Sequence, residues 1–259
     1  MPHFAYVLHL ADNCIILGQR NAQWCGNGPI LEEDIAMANN SLDLIGQARM
    51  LYQYAAELKG GLATEDSLAY FRDAHDFKNY TLLELPHYGP LVGYAVENLD
   101  YSVTIVRNFL FSTLMVLMWE KLQHSKDTRL AAIAAKSLKE VRYHLRHAHD
   151  WLVRFGDGTH ESQARAQAAL NHLMPYTQEF WIQAPFETAA YNANIGIDTL
   201  DLKKDWTSIV GDTLNEANLM TPPGGGYLTS GKLGLHSEHL SYLLGEMQSI
   251  ARAHPDGVW

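Results

Sequence analysis

Cysteine is almost absent from the chain, with two residues, Cys14 and Cys25, in 259. They stand eleven residues apart with no Cys-x-x-Cys. This excludes a disulfide scaffold, carries no local signature of a nucleophile, and predicts the reduced thiols of a cytoplasmic protein. Proline is scarce, 9 residues in all, and Pro29, Pro86, Pro90, Pro175, Pro185, Pro222, Pro223 and Pro255 fall between periodic segments. Positive charge is the minority sign: 19 Lys and Arg against 29 Asp and Glu give a net −10. A field of that sign repels phosphate backbones and anionic bilayers, so neither nucleic acid nor membrane is an expected partner. The start MPHFAYVLHL lacks the basic, apolar and cleavage regions of a signal peptide. The most apolar run, Phe109 to Trp119, is bounded by Arg107-Asn108 and Glu120-Lys121, short of the roughly 20 residues that span a bilayer, and reads as a buried core helix. No segment alternates strictly enough to predict a sheet.

What is there is helical periodicity. Leu31, Ile35, Ala38, Leu42, Ile45, Ala48, Tyr52 and Ala55 recur at spacings of three and four, the pattern of a bundle face. Leu138, Val141, Leu145, Ala148, Leu152 and Phe155 repeat it, and Gly156-Asp-Gly158 ends that helix by glycine chemistry. Segments 6–24 and 94–123 complete four long helices arranged as two hairpins, and 159–184, 200–219 and 237–253 read as peripheral C-terminal helices. Ser237 is the expected N-cap of the last, followed by an acidic first turn. The run Pro222-Pro-Gly-Gly-Gly226 lacks both the Walker and the Rossmann spacing and reads as an ordered loop. The expectation is one domain over 1–259: an all-α, ferritin-like four-helix bundle of two antiparallel hairpins with further peripheral helices.

Di-iron bundles of this type draw one Glu from each of two helices and a Glu-x-x-His from each of the other two, because residues three apart share a helix face. Here Gln47 stands where an imidazole is needed, with Leu44 three residues before it. His144 follows Val141 at the same spacing, and the nearest acid, Glu140, lies four residues away on an adjacent edge. Tyr101 to Trp119 holds no Asp or Glu, and the first helix offers only Asp12, read as lying near its start. Four carboxylates and two histidines are required, and this inventory does not supply them. The alternative is a metal-binding oxygenase active in its own right, with Glu140, His144 and Asp43 in a non-standard geometry.

Other candidates are weaker. His144, His147 and His149 crowd one segment, and His236 and His239 form an i, i+3 pair, but zinc needs further ligands at each. Lys136, Lys139, Arg142 and Arg146 form a basic stripe on an acidic chain, either a solvated face or a contact for an acidic partner or a phosphate-bearing ligand. Tyr52, Tyr54, Trp119, Trp151 and Trp181 read as core or interface aromatics.

Several of these segments in combination resemble a known family: Leu10-Ala-Asp-Asn-Cys-Ile-Ile-Leu-Gly-Gln-Arg20, Leu42-Asp-Leu-Ile-Gly-Gln-Ala-Arg49 with Tyr54-Ala-Ala-Glu-Leu58, Lys139-Glu-Val-Arg-Tyr-His-Leu-Arg146, and Gly234-Leu-His-Ser-Glu-His239 with Glu246-Met-Gln248. The likeness is to the structural C subunits of bacterial phenylacetyl-CoA epoxidases, the ring-1,2-epoxidases of aerobic phenylacetate degradation, and runs from about 10 to 250. It implies a ferritin-like paralogue of a catalytic A subunit that holds the di-iron centre, activates O2 and inserts one oxygen atom into the ring. The Glu-x-x-His positions of that subunit would fall on Leu44 and Gln47 and on Val141 and His144, three of the four vacated. The resemblance further implies no catalytic residue, cofactor or metal in this chain, which would scaffold the catalytic partner. A small B subunit would join the complex, and an NADPH-dependent reductase with FAD and an iron–sulfur cluster would supply electrons.

Overall fold

The computed structural model describes residues 1–89 and 99–257. Its α-helices, in chain order, are α1 (Pro2–Ala22), α2 (Leu31–Lys59), α3 (Glu65–Tyr70), α4 (Thr81–Glu84), α5 (Tyr101–Leu122), α6 (Thr128–Gly156), α7 (His160–Leu173), α8 (Pro185–Asn192), α9 (Lys203–Glu216) and α10 (Glu238–Ala253). Among the described residues there is no strand, only an isolated bridge between Ser230 and Leu235, so the chain is all-α as its periodicity predicts. It divides into two compact units, one made of Met1–Leu85, Ala184–Ala193 and Thr229–Trp259, the other of Pro86–Gln183 and Asn194–Leu228.

The first unit is built on the hairpin α1–α2. The helix expected over 6–24 begins earlier, at Pro2, because a proline costs nothing in a first turn whose N–H groups lack partners anyway. Helix α1 is buried on all sides from Tyr6 to Gly18. Gly18 lets α2 come close: a Cβ there would sit 3.2 Å from Ile45 and 3.3 Å from Leu44. The apolar stripe read on α2 packs in its second half, where Ala48, Tyr52 and Ala55 are buried, but not in its first. Leu31, Ile35 and Leu42 are exposed, while Met37, Asn40, Ser41, Leu44, Gln47 and Leu51 are buried. In the first half of α2 the buried face is partly polar, so apolar periodicity there selects the neighbouring one. Helices α3, α4 and α8 are too short to carry a periodic signal, and the sequence pattern does not assign them.

The second unit is built on α5–α6. Helix α5 is long and apolar enough to cross a membrane by composition alone, yet nearly all of it is buried inside the protein, as the core-helix reading expects. The segment expected to start at 94 begins as helix at Tyr101; residues 94–98, and Pro90, lie outside the described residues. Helix α6 is amphipathic as read, with Leu138, Val141, Ala148 and Leu152 buried. Its start is fixed by Asp127, which accepts from the N–H groups of Arg129 and Leu130, both at 3.0 Å. The stretch 159–184 splits into α7 and a 3₁₀ segment, Met174–Trp181, where Pro175 interrupts the α ladder. Phe180, Trp181 and Trp206 stack edge to face, and the Trp206 indole N–H donates to the Leu110 carbonyl at 3.0 Å, locking α9 onto α5. The loop 222–226 is irregular, as expected.

Glycine at 156 is required by packing, since a Cβ there would lie 1.7 Å from the Ala217 carbonyl oxygen. Gly156→Ala forces α6 and the end of α9 apart and is expected to lower the melting temperature by about 5–10 °C, corresponding to about 2–3 kcal/mol in a chain of this size. A melting curve within about 1 °C of the wild type would contradict this packing.

Candidate functional site

The positions that a di-iron bundle would use can be traced unit by unit. In the first unit, α1 and α2 run antiparallel: Asp12 meets Tyr52, Cys14 meets Gln47 and Gly18 meets Leu44. The α1 residues level with the Leu44–Gln47 turn are therefore Cys14 to Gly18, none of them acidic. Gln47 is fully buried, and its Oε1 faces the Cys14 thiol at 3.9 Å. The turn is filled by a thiol, an amide and apolar carbon.

Asp12 corrects the sequence reading. With α1 starting at Pro2, it lies at the middle of the helix and is fully buried, two residues before Cys14 and level with Tyr52, more than a turn from Gly18, which meets Leu44. Its carboxylate is already committed. It accepts from the Tyr52 hydroxyl at 2.6 Å and the Lys78 backbone N–H at 2.8 Å, and it pairs with the Arg72 guanidinium, whose second nitrogen donates at 3.1 Å. Burial works against the Arg72 charge and Asp12 outweighs it, so the net shift is upward; burial and then Asp12 push the Tyr52 hydroxyl well above its usual range. Arg72 also lies over the Phe77 ring, 4.1 Å from its centroid.

In the second unit, Val141 and His144 are both buried on α6. Glu120–Arg142 at one end and Tyr101–Trp151 at the other set the antiparallel register of α5 against α6, which places Ser112 to Met118 level with His144. That stretch has no carboxylate. Glu140 is half-buried on the edge of α6, and Asp43 is half-buried on α2 in the other unit. Among the described residues, no group of three His, Cys, Asp or Glu side chains converges as a metal site. The donor set therefore does not fit two metal ions that demand four carboxylates and two imidazoles.

The remaining histidines have other work. His236 is held at both ring nitrogens, with Nδ1 2.8 Å from Glu84 Oε2 and Nε2 3.0 Å from the Phe77 carbonyl oxygen. His239 is half-buried; burial and the nearby Arg20 hold its pKa below the usual value. His149 faces Asp150 and Glu216 at 3.2 and 3.3 Å on the surface. Ser237 occupies the N-cap of α10 as predicted, but its side chain makes no cap bond; its N–H donates instead to Glu84 at 2.6 Å. On the basic stripe, all four side chains are exposed, Arg142 pairs with Glu120 at 2.8 Å and Arg146 lies over the Tyr143 ring.

Sequence reasoning missed a second buried polar cluster in the first unit. Lys232 donates to Glu187 at 2.6 Å with both side chains 3% exposed, and His9 lies 3.8 Å from the same carboxylate. His9 is neutral there. Its Nδ1–H donates to the Lys78 carbonyl at 2.6 Å and Asn13 approaches Nε2 at 3.3 Å, while burial first and Lys232 second lower its pKa to about 3. The available signal is charged residues set inside otherwise apolar segments, which no motif records. The same unit carries an open cleft of about 740 Å³ between α2, α3 and α10, floored by Ile15 and Ala48 and edged by Glu65 and Asp66.

The first unit thus has a committed carboxylate at Asp12 and an amide–thiol pair at Gln47 and Cys14, and the second keeps the imidazole of His144 beside Val141 with no carboxylate level with it. Over residues 1–259 the sequence matches the family described as phenylacetic acid catabolic protein, and the chain belongs to that family, with its all-α, ferritin-like fold. Among curated proteins it is 42% identical, over 255 residues and 98% of each chain, to the C subunit of 1,2-phenylacetyl-CoA epoxidase from Escherichia coli strain K12. The chain is thus a subunit-type member of a phenylacetate-catabolic epoxidase family, with hetero-oligomeric partners implied.

Both buried clusters can be tested by stability. Arg72→Ala leaves Asp12 buried without its cation and is expected to cost about 3–5 kcal/mol in urea denaturation, but much less in an Asp12→Asn background; additive losses would refute the coupling. For His9, the folded-state pKa lies below the unfolded one, so the unfolded chain takes up a proton first and stability drops as pH falls below about 6.5. Between pH 6.5 and 5 this amounts to about 1.5 kcal/mol, which His9→Leu should abolish. An unchanged pH slope in the variant would contradict a neutral buried His9.

Proposed function

We propose that this chain is the non-catalytic, structural subunit of a multicomponent di-iron monooxygenase that epoxidises the aromatic ring of phenylacetyl-CoA. It scaffolds a paralogous catalytic subunit that holds the active site. The observation that carries this reading is the α1–α2 level at Leu44 and Gln47, where Cys14 and Gly18 stand opposite and no carboxylate is present. The nearest α1 carboxylate, Asp12, is neutralised by Arg72. The identity to a protein named as the C subunit of an epoxidase, over nearly the whole of both chains, supports the same reading. A bundle that spends no buried residues on ligands is free to use long helices for a large interface with another chain. In the proposal the complex is cytoplasmic, includes a small B subunit, and receives electrons from an NADPH-dependent reductase with FAD and an iron–sulfur cluster. The exposed side chains of Arg142 and Arg146 are available to hold an acidic partner surface or the CoA phosphates.

The test is reconstitution. Purified chain, supplied with phenylacetyl-CoA, O2, reductase and NADPH, is expected to give no epoxide, and conversion is expected only when the catalytic subunit is added. Oxygen-dependent turnover by this chain alone would overturn the proposal.

A further inference from the structure

Helix α2 carries two apolar stripes where a surface helix needs one. The inner stripe, with Met37, Leu44 and Leu51, packs within its own unit. The outer one runs Leu31, Ile35, Ala38 and Leu42, at spacings of four, three and four, which is a heptad seam that ends where Ile45 turns toward Gly18 of α1. Leu31 is 72% exposed, Ile35 53% and Leu42 65%. Helix α6, of equal length, has a charged outer face, with Lys136, Lys139, Arg142 and Arg146 exposed. On α2 the outer face is instead the pattern that binds another helix, because only a partner helix crossing at about 20° follows a 3.5-residue repeat.

Two further features describe the occupant. Gly46 is exposed beside the seam, and a Cβ there would meet nothing within 4 Å in this chain; a mid-helix glycine costs about 1 kcal/mol relative to alanine, and it leaves room for another backbone to approach. The charges along the seam are of one sign: Glu32, Asp34 and Asp43 with no Lys or Arg between Leu31 and Ala48. The complementary surface is an amphipathic helix with an apolar heptad stripe flanked by Lys and Arg.

We infer that the outer seam of α2, from Leu31 to Leu42, docks a basic-flanked helix of the paralogous catalytic subunit. The inference rests on the structural-subunit reading above and names its contact face. A second copy of this chain, or no occupant, are the competing outcomes. The experiment uses the co-expressed complex of the full-length chain and the catalytic subunit, with the affinity of separately purified chains read by interferometry. Ile35→Glu/Leu42→Glu is expected to weaken binding at least about 100-fold, while Leu228→Glu, also exposed but in the other unit, changes it less than about twofold. Equal binding by wild type and double variant would overturn the seam and leave the structural-subunit reading standing. Failure of the wild-type chain to bind the catalytic subunit at all would overturn that reading itself. A wild-type homodimer dissociated by the double substitution would overturn the assigned occupant. Should the double variant lose its circular-dichroism melt, a photocrosslinking benzoylphenylalanine at position 42 decides: a crosslink to the catalytic subunit supports the seam, and its absence from the intact complex overturns it.

Discussion

The pairing of Asp12 with Arg72 is the constraint on which the first unit depends. A carboxylate at the centre of a helix buried on all sides cannot remain ionised without compensation, since desolvating a single charge costs several kcal/mol. In a metal-loaded bundle a cation would supply that compensation. Here a guanidinium does, reached from the segment after α3, with a tyrosine hydroxyl and a backbone N–H completing the shell. The arrangement fixes the chain from Arg72 to Lys78 against α1. Lys78 in turn accepts from His9 through its carbonyl, and His9 faces the Lys232–Glu187 pair. A neutral, hydrogen-bonded imidazole beside that buried ion pair is satisfied only while each neighbour stays in place.

Around that centre the helices are held by close packing, and among the described residues no three His, Cys, Asp or Glu side chains converge. Gln47 and Cys14 face one another where an imidazole and a carboxylate would be needed, and Gly18 brings α2 in close. In the second unit, α5 is buried along its length with no acid level with His144. Burying Leu, Phe and Trp at such positions stabilises each by roughly 1.5–3 kcal/mol.

Much of this was legible in the sequence. The spacing on α6 located its buried face, the absence of Asp and Glu from 101 to 119 marked the dry core helix, and Gly156-Asp-Gly158 marked the end of α6. The face of α2 was legible only in its second half, at Ala48, Tyr52 and Ala55, and for a physical reason: in the first half the packed side includes Asn40 and Ser41 and the exposed side includes Leu31, Ile35 and Leu42, so periodicity there ranks the wrong stripe first. The depth of Asp12 was hidden because α1 opens at Pro2, ahead of the first apolar periodicity. The Lys232–Glu187 and Glu84–His236 pairs join residues 45 and 152 positions apart, a proximity that local patterns do not contain.

In the proposed role, a ferritin-like chain has given up its metal positions and kept its fold. The most direct test is the iron content of the chain purified alone after iron-supplemented expression, measured by plasma mass spectrometry. The expected content is well below one atom per chain; a content near two atoms per chain, the full complement of a di-iron bundle, would contradict the proposed role.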